Sequence, residues 1–374
     1  MKTYQERLIS DLKRLRDYYK THQKKSNLTF DFSSFYNLDS IAAPILGFSF
    51  EPTSTIIDEE SAIVIAQDSY KEILVFNKQI YENFEELYSM FDNLDEFMSD
   101  IDYPTLPYYS LLRKFNEKDF TDILLSFLSE YGNDMVNIAK KYMDEDRIIM
   151  NYRMNPHDQF KAMHIGSKLL KSGYIILRHD EYTTYSLSSL VHELGHAYDR
   201  ERFIYSQQKR IRNFEDLLIE VPSIYFEMEF YDYLIRNKIN KDGAMILKNE
   251  KLTRMSDTFA SFYITTKEYF EIVDPIILQS ESDYNKRSAF RNDLIYGLGI
   301  YISIHLSHLR RNMSNEEFMK ELYNFISSRK ERTLKESVEG LGIDYNDFLT
   351  GTYVYPEVHE SSLKLKRRFK IMNK

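Results

Sequence analysis

Residues Ser188 to Asp199, Ser-Ser-Leu-Val-His-Glu-Leu-Gly-His-Ala-Tyr-Asp, constrain this chain more than any other stretch. His192, Glu193 and His196 spell H-E-x-x-H. Leu187, Leu190, Val191, Leu194 and Tyr198 recur at helical spacing and predict an amphipathic helix. On that helix His192 and His196 stand one turn apart and project from one face. The separation suits two imidazole nitrogens meeting a single tetrahedral zinc at about 2.0–2.1 Å. Glu193, rotated by about 100° around the axis, flanks the same point, near enough to take a proton from a water held there. A chain of this composition produces such a match by chance only about 0.02 times.

A third donor stands downstream in Phe214-Glu-Asp-Leu-Leu-Ile-Glu-Val-Pro-Ser-Ile-Tyr-Phe-Glu227, which again has helical character. Glu220 lies 24 residues beyond His196, room for a loop and an antiparallel helix. Its carboxylate completes a His-His-Glu set and leaves a fourth position for water or substrate. Glu227 follows two turns later on the same face, placed to accept the outer N–H of a ligating histidine and fix its tautomer.

His192-Glu-Leu-Gly-His196 followed by Ile219-Glu-Val-Pro-Ser223 and Glu227 resembles the thimet oligopeptidase and oligoendopeptidase F family of zinc peptidases. Ser172-Gly-Tyr-Ile-Ile-Leu-Arg-His-Asp180 also resembles that family's strand before the zinc helix. The resemblance implies a mainly α fold around a substrate channel, a small β-sheet next to the metal, and one zinc per chain. It also implies hydrolysis of internal bonds in short peptides. The likeness is specific over residues 170–230 and looser to about 350. It divides the chain into an N-terminal helical region covering the channel, 1–145, and a catalytic region, 146–374.

Departures from the family's pattern fall late in the chain. Leu294-Ile-Tyr-Gly-Leu-Gly299 resembles its tyrosine-bearing ending but lacks the companion tyrosines, and Tyr284-Asn-Lys-Arg287 stands where a histidine is usual. Tyr296 is the candidate oxyanion donor, with Tyr301 the weaker alternative. Only 191 residues precede the first candidate ligand, short for the family, which implies a reduced channel cover. Two alternatives stay open. One is a carboxypeptidase-type zinc enzyme, which needs a cation to hold the terminal carboxylate. The other is a peptide-binding protein on a peptidase scaffold with weak turnover.

Elsewhere the sequence mainly excludes. Its 374 residues suffice for one large or two smaller cores. A net charge of −9 lacks the basic footprint of nucleic-acid binding. The absence of cysteine removes disulfides and thiolate ligands. No run approaches the roughly 18 apolar residues of a membrane helix, and the N-terminus has no apolar leader core; the expected location is the cytoplasm. Few glycines and prolines, 11 and 8, favour long helices.

Along the chain, Leu8, Leu12, Leu15 and Tyr19 share one face of a first helix. A loop with Pro44 and Pro52 follows. Thr55 and Asp58 then form a capping box for a helix to about Met90, whose aromatics Tyr70, Phe76, Tyr81, Phe84 and Tyr88 read as core. Asp102 to Pro107 breaks the helices, which resume over 106–116 and 119–144. Arg147–Tyr152 and Tyr174–Arg178 read as strands, the second a candidate edge for a substrate to extend. His157, His164 and His179 read as packed or surface histidines, and His305 with His308 as a weak second pair without an acidic partner. Further helices are expected to 237, over 241–272, 283–310, from Asn315, and to Gly340. The basic tail, Lys364–Lys370, reads as a solvated terminus.

Overall fold

Alternation in the strand β3, Ser172–Leu177, sets how the layers stack. Ile175 and Leu177 enter the main helical core, while Tyr174 and Ile176 face the opposite way, onto a second core shared with Leu8, Leu12 and Leu15 of helix α1, Tyr4–His22. This is the period-two geometry of a strand covered on both faces. A computed structural model describes residues 4–22, 38–39, 42–43, 46, 90, 112–150, 162–167, 169–179, 181–204, 218–270, 281–328 and 332–369. The expected loop at Pro44 and Pro52, the helix from Thr55 and its aromatics, the break at Asp102–Pro107 and His157 lie outside them.

The sheet has the order β1-β3-β2. Strand β1, Ile148–Met150, runs parallel to β3, and β2, Ala162–Ser167, antiparallel to it. β3 is therefore the central strand and fully buried, which corrects the expectation that it is an exposed edge. Among the described residues the outer strands are β1 and β2, and β2, which the sequence reading missed, is the one that lines the cavity beside the candidate site. α1 is tied to this sheet through Asp11, which accepts from the Tyr174 hydroxyl at 2.7 Å and from Arg147 at 3.0 Å.

Helices α2, Glu117–Ser129, and α3, Asn133–Asp144, contribute Leu124, Phe127, Ile138 and Tyr142 to the main core. The central helix α4, Thr184–Asp199, begins at a capping box: Thr183 and Ser186 exchange backbone-to-side-chain bonds of 3.1 and 2.7 Å. It is buried on nearly all sides, between the sheet and α5, Val221–Arg236. His192 and Glu193 are buried because they line the site, while Ser186 and Ser188 are buried with their hydroxyls bonded to backbone carbonyls at Glu181 and Tyr185. A π turn, Arg200–Ile204, continues it.

α5 packs in turn on α6, Lys241–Phe270, and α7, Glu281–Arg310. The remaining helices are α8, Asn315–Ser328; α9, Leu334–Gly340; α10, Tyr345–Thr350; and α11, Val354–Phe369. The basic tail is thus mostly helix, and Arg368 grips Asp242 of α6 with bonds of 2.8 and 2.9 Å. Lys364, Arg367 and Arg368 nevertheless stay exposed, as expected of a solvated tail. Among the described residues no helix is long and apolar enough to cross a membrane.

Among the described residues the second core is small, so each of these members matters. Leu12→Ala, at a position with no exposure, is expected to cost about 2–5 kcal/mol, read as a fall in the denaturant midpoint at unchanged slope.

Candidate metal centre

His192 and His196 leave α4 on the face turned toward the start of α5. Both present Nε2 to one carboxylate oxygen: Glu220 Oε2 lies 3.4 Å from His192 and 3.2 Å from His196. Donors placed tetrahedrally around zinc at its usual bond length are about 3.3 Å apart. The three donor atoms also lie within 4.8 Å of one another. Two imidazole nitrogens and one carboxylate, at that spacing and partly shielded from water, fit a single divalent ion. Among the described residues they are the sole cluster of this kind.

Close backbone packing makes this convergence possible. Glu220 is the residue flanking α5, whose helix starts at Val221 with Pro222 in its first turn. The helix therefore begins later than the apolar pattern from Phe214 suggested. At Gly195 a Cβ would come 2.5 Å from the Ser223 Cα and 3.1 Å from the Pro222 oxygen. At Gly299 of α7 a Cβ would lie 2.6 Å from Ile224 Cδ1 and 3.2 Å from the Glu220 Cβ. Two glycines thus admit the α5 start. Ser223 completes the mount, its hydroxyl donating to the Glu220 backbone oxygen at 2.9 Å and to Oε2 at 3.1 Å.

Behind the donors stands a second set of partners. Glu227 Oε2 is 2.9 Å from His192 Nδ1, leaving Nε2 free to face the common point. Tyr231 donates to Glu227 Oε1 at 2.6 Å, and Lys251 Nζ of α6 lies 2.8 Å from Oε2. Burial opposes ionisation of Glu227, but Lys251 and His192 outweigh it and bring the carboxyl down to about 2. Burial likewise disfavours a charged His192, yet the bonds to Glu220 and Glu227 raise it to about 10. Glu193 is buried, and burial lifts its carboxyl above the usual range against the opposing pull of the two imidazoles. Tyr231 and Lys251 were not legible as site residues.

Tyr296 of α7 lies over the same point. Its ring is parallel to that of His192 within 3°, centroids 6.2 Å apart. On its ring lies Arg254 of α6, the guanidinium carbon 4.4 Å from the centroid. The nearby Glu220, followed by burial, pushes the phenol well above its ordinary range, so it keeps its proton. Tyr301 is instead fully buried, donating to the Phe348 carbonyl, and lies away from the donors. These groups wall a cavity of about 660 Å³ that also reaches Ala162, Met163 and His164 of β2.

The structure therefore gathers His192, Glu193, His196, Glu220, Glu227 and Tyr296 into one cavity wall. His164 is buried against the Tyr142 hydroxyl at 2.9 Å, and His179 meets Ser189 at 3.2 Å, so both are packed. His305 is buried among Tyr301, Phe348 and Tyr353, and His308 stacks on Tyr353; no metal cluster forms there among the described residues.

No family model matches the sequence, and no curated protein matches it. Among solved structures the chain is similar to a Chlamydophila abortus protein provisionally assigned as a peptidase, with TM-score 0.50 and 15% identity over 97% of this chain and 64% of that one. It is also similar to a structure from Bacillus anthracis strain Ames provisionally assigned as oligoendopeptidase F, with TM-score 0.45 and 13% identity over 89% of this chain and 63% of that one. The chain spans less than two thirds of the length of either. The first likeness establishes a shared helical fold.

Gly195→Ala tests the packing that seats Glu220. Because the new methyl meets backbone, α4 and α5 must separate. Affinity for a divalent ion, measured by chelator competition, is expected to fall about tenfold or more, together with the melting temperature.

Proposed function

We propose that this chain is a zinc-dependent endopeptidase that hydrolyses internal bonds of short oligopeptides. One observation carries the reading: the Nε2 atoms of His192 and His196 converge on Glu220 Oε2 at zinc-like spacing, with Glu193 beside them and Glu227 behind His192. The provisional peptidase assignment of the Chlamydophila abortus protein of like fold supports the same direction.

His192, His196 and Glu220 would hold the ion. Zinc, when bound, supplies Lewis acidity toward a carbonyl and lowers the pKa of water. Glu193 takes the proton of the attacking water on its carboxylate and returns it to the leaving amine. Burial suits this task by limiting competition from bulk solvent. Tyr296 offers its phenolic O–H to the developing oxyanion. Glu227, held by Tyr231 and Lys251, keeps the Nδ1 proton of His192 in place, so the tautomer with a free Nε2 persists.

Substrate enters as an extended segment. The outer strand β2 reaches the cavity at Ala162, Met163 and His164 and would pair with peptide backbone. Such pairing makes recognition depend on backbone and length more than on side chains.

The deciding experiment measures zinc content and cleavage of a mixed peptide set for the wild type and for Glu193→Gln. One zinc in both, with turnover falling about 10²–10⁴-fold in the variant, is the expected result. Failure of the wild type to take up zinc, or to cleave any peptide while zinc-loaded, overturns the reading.

A further inference from the structure

The cations around the cavity are not equivalent. Lys251 is matched by Glu227 at 2.8 Å. Arg200, at the end of α4, has contacts of its own. Arg254 is exposed, lines the cavity, and among the described residues touches only the Tyr296 ring. Glu250 lies one turn earlier on α6 and lines the same cavity, yet no ion pair joins the two. Among the described residues this guanidinium has no carboxylate of its own.

We propose that Arg254 reads a substrate carboxylate, in the first place the free C-terminus of the peptide. The assignment rests on the peptidase reading above and narrows its substrate class. Stacking occupies the face of a guanidinium and leaves its N–H edge open. That edge matches a carboxylate with two parallel hydrogen bonds. The Tyr296 ring lies 4.4 Å from the guanidinium carbon and takes none of its N–H donors, so the group is positioned before substrate arrives.

Distance sets where the carboxylate falls. From the His192 ring to the guanidinium the path has two legs, 6.2 Å to the Tyr296 ring and 4.4 Å beyond it. An extended peptide advances about 3.3–3.6 Å per residue. Arg254 is therefore in register with a group one to three residues from the scissile bond. Glu193, Glu220, Glu227 and Glu250 line the remainder of the cavity, so a carboxylate seated elsewhere meets like charge. A free C-terminus just beyond the cut satisfies both conditions, and cleavage would then release short C-terminal fragments.

The test uses zinc-loaded protein carrying Glu193→Gln, so that peptides bind without being consumed. One hexapeptide is titrated calorimetrically as free acid and as C-terminal amide, with and without Arg254→Gln or Arg254→Lys. The free acid is expected to bind about tenfold or more tightly, with the ratio falling toward one in Arg254→Gln and lying between in Arg254→Lys. Amidated peptides bearing a single Asp or Glu distinguish the source: Arg254-dependent tightening by the side chain alone assigns the site to acidic residues instead of the terminus. Equal binding of all forms overturns the proposal. So does an acid-to-amide ratio that survives Arg254→Gln while both affinities fall, since that pattern describes a mere prop for Tyr296. Acid-selective binding alongside a zinc-loaded wild type that cleaves nothing refutes the peptidase reading and leaves the Arg254 assignment standing.

Discussion

The approach of the α4 backbone to the α5 start, at Gly195 against Ser223, is the contact on which the site depends. Helices that meet through ordinary side chains keep axes about 8–10 Å apart. A glycine at the contact allows a closer meeting, which gives the short reach of Glu220 access to both imidazoles. Gly299 of α7 meets the same helix start at Ile224 and Glu220. The three-donor arrangement is therefore a product of backbone packing first and of side-chain choice second.

Around it the protein buries an unusual concentration of ionisable groups. Most are matched by a direct partner: His192 between Glu220 and Glu227, Glu227 between His192, Tyr231 and Lys251. Matching answers the desolvation cost of burying charge, but a well-packed apolar set of the same volume serves stability at least as well. So dense a network on the wall of a large cavity points to chemistry more than to folding. Its members come from α4, α5 and α6, with Tyr296 of α7 above, so the four helices act as one mount.

Much of this was legible in sequence because the decisive residues repeat at local spacing. His192 and His196 are one turn apart, and Glu220 and Glu227 two turns, so helical periodicity alone places each pair. Tyr231, Lys251 and Arg254 have no such signature. They are common residues on ordinary helices, and only the packing of α6 against α5 and α7 brings the latter two to the cavity. β2 escaped notice because Ala162-Met-His-Ile-Gly-Ser167 is short and carries a glycine, with weak β propensity. The misplacement of β3 at an edge had a readable remedy. An unbroken apolar run such as Tyr174–Leu177 belongs to a strand covered on both faces, and strand order followed from that.

The two glycines around Glu220 also limit how the site can vary. With the α5 start already in close contact at Gly195 and Gly299, a carboxylate shortened by one methylene cannot be compensated by sliding the helix inward. Drift in the ligand set is thus blocked at the level of the main chain. A relative with bulkier residues at these two positions could retain every helix of the fold and both histidines, yet have no third donor to offer an ion.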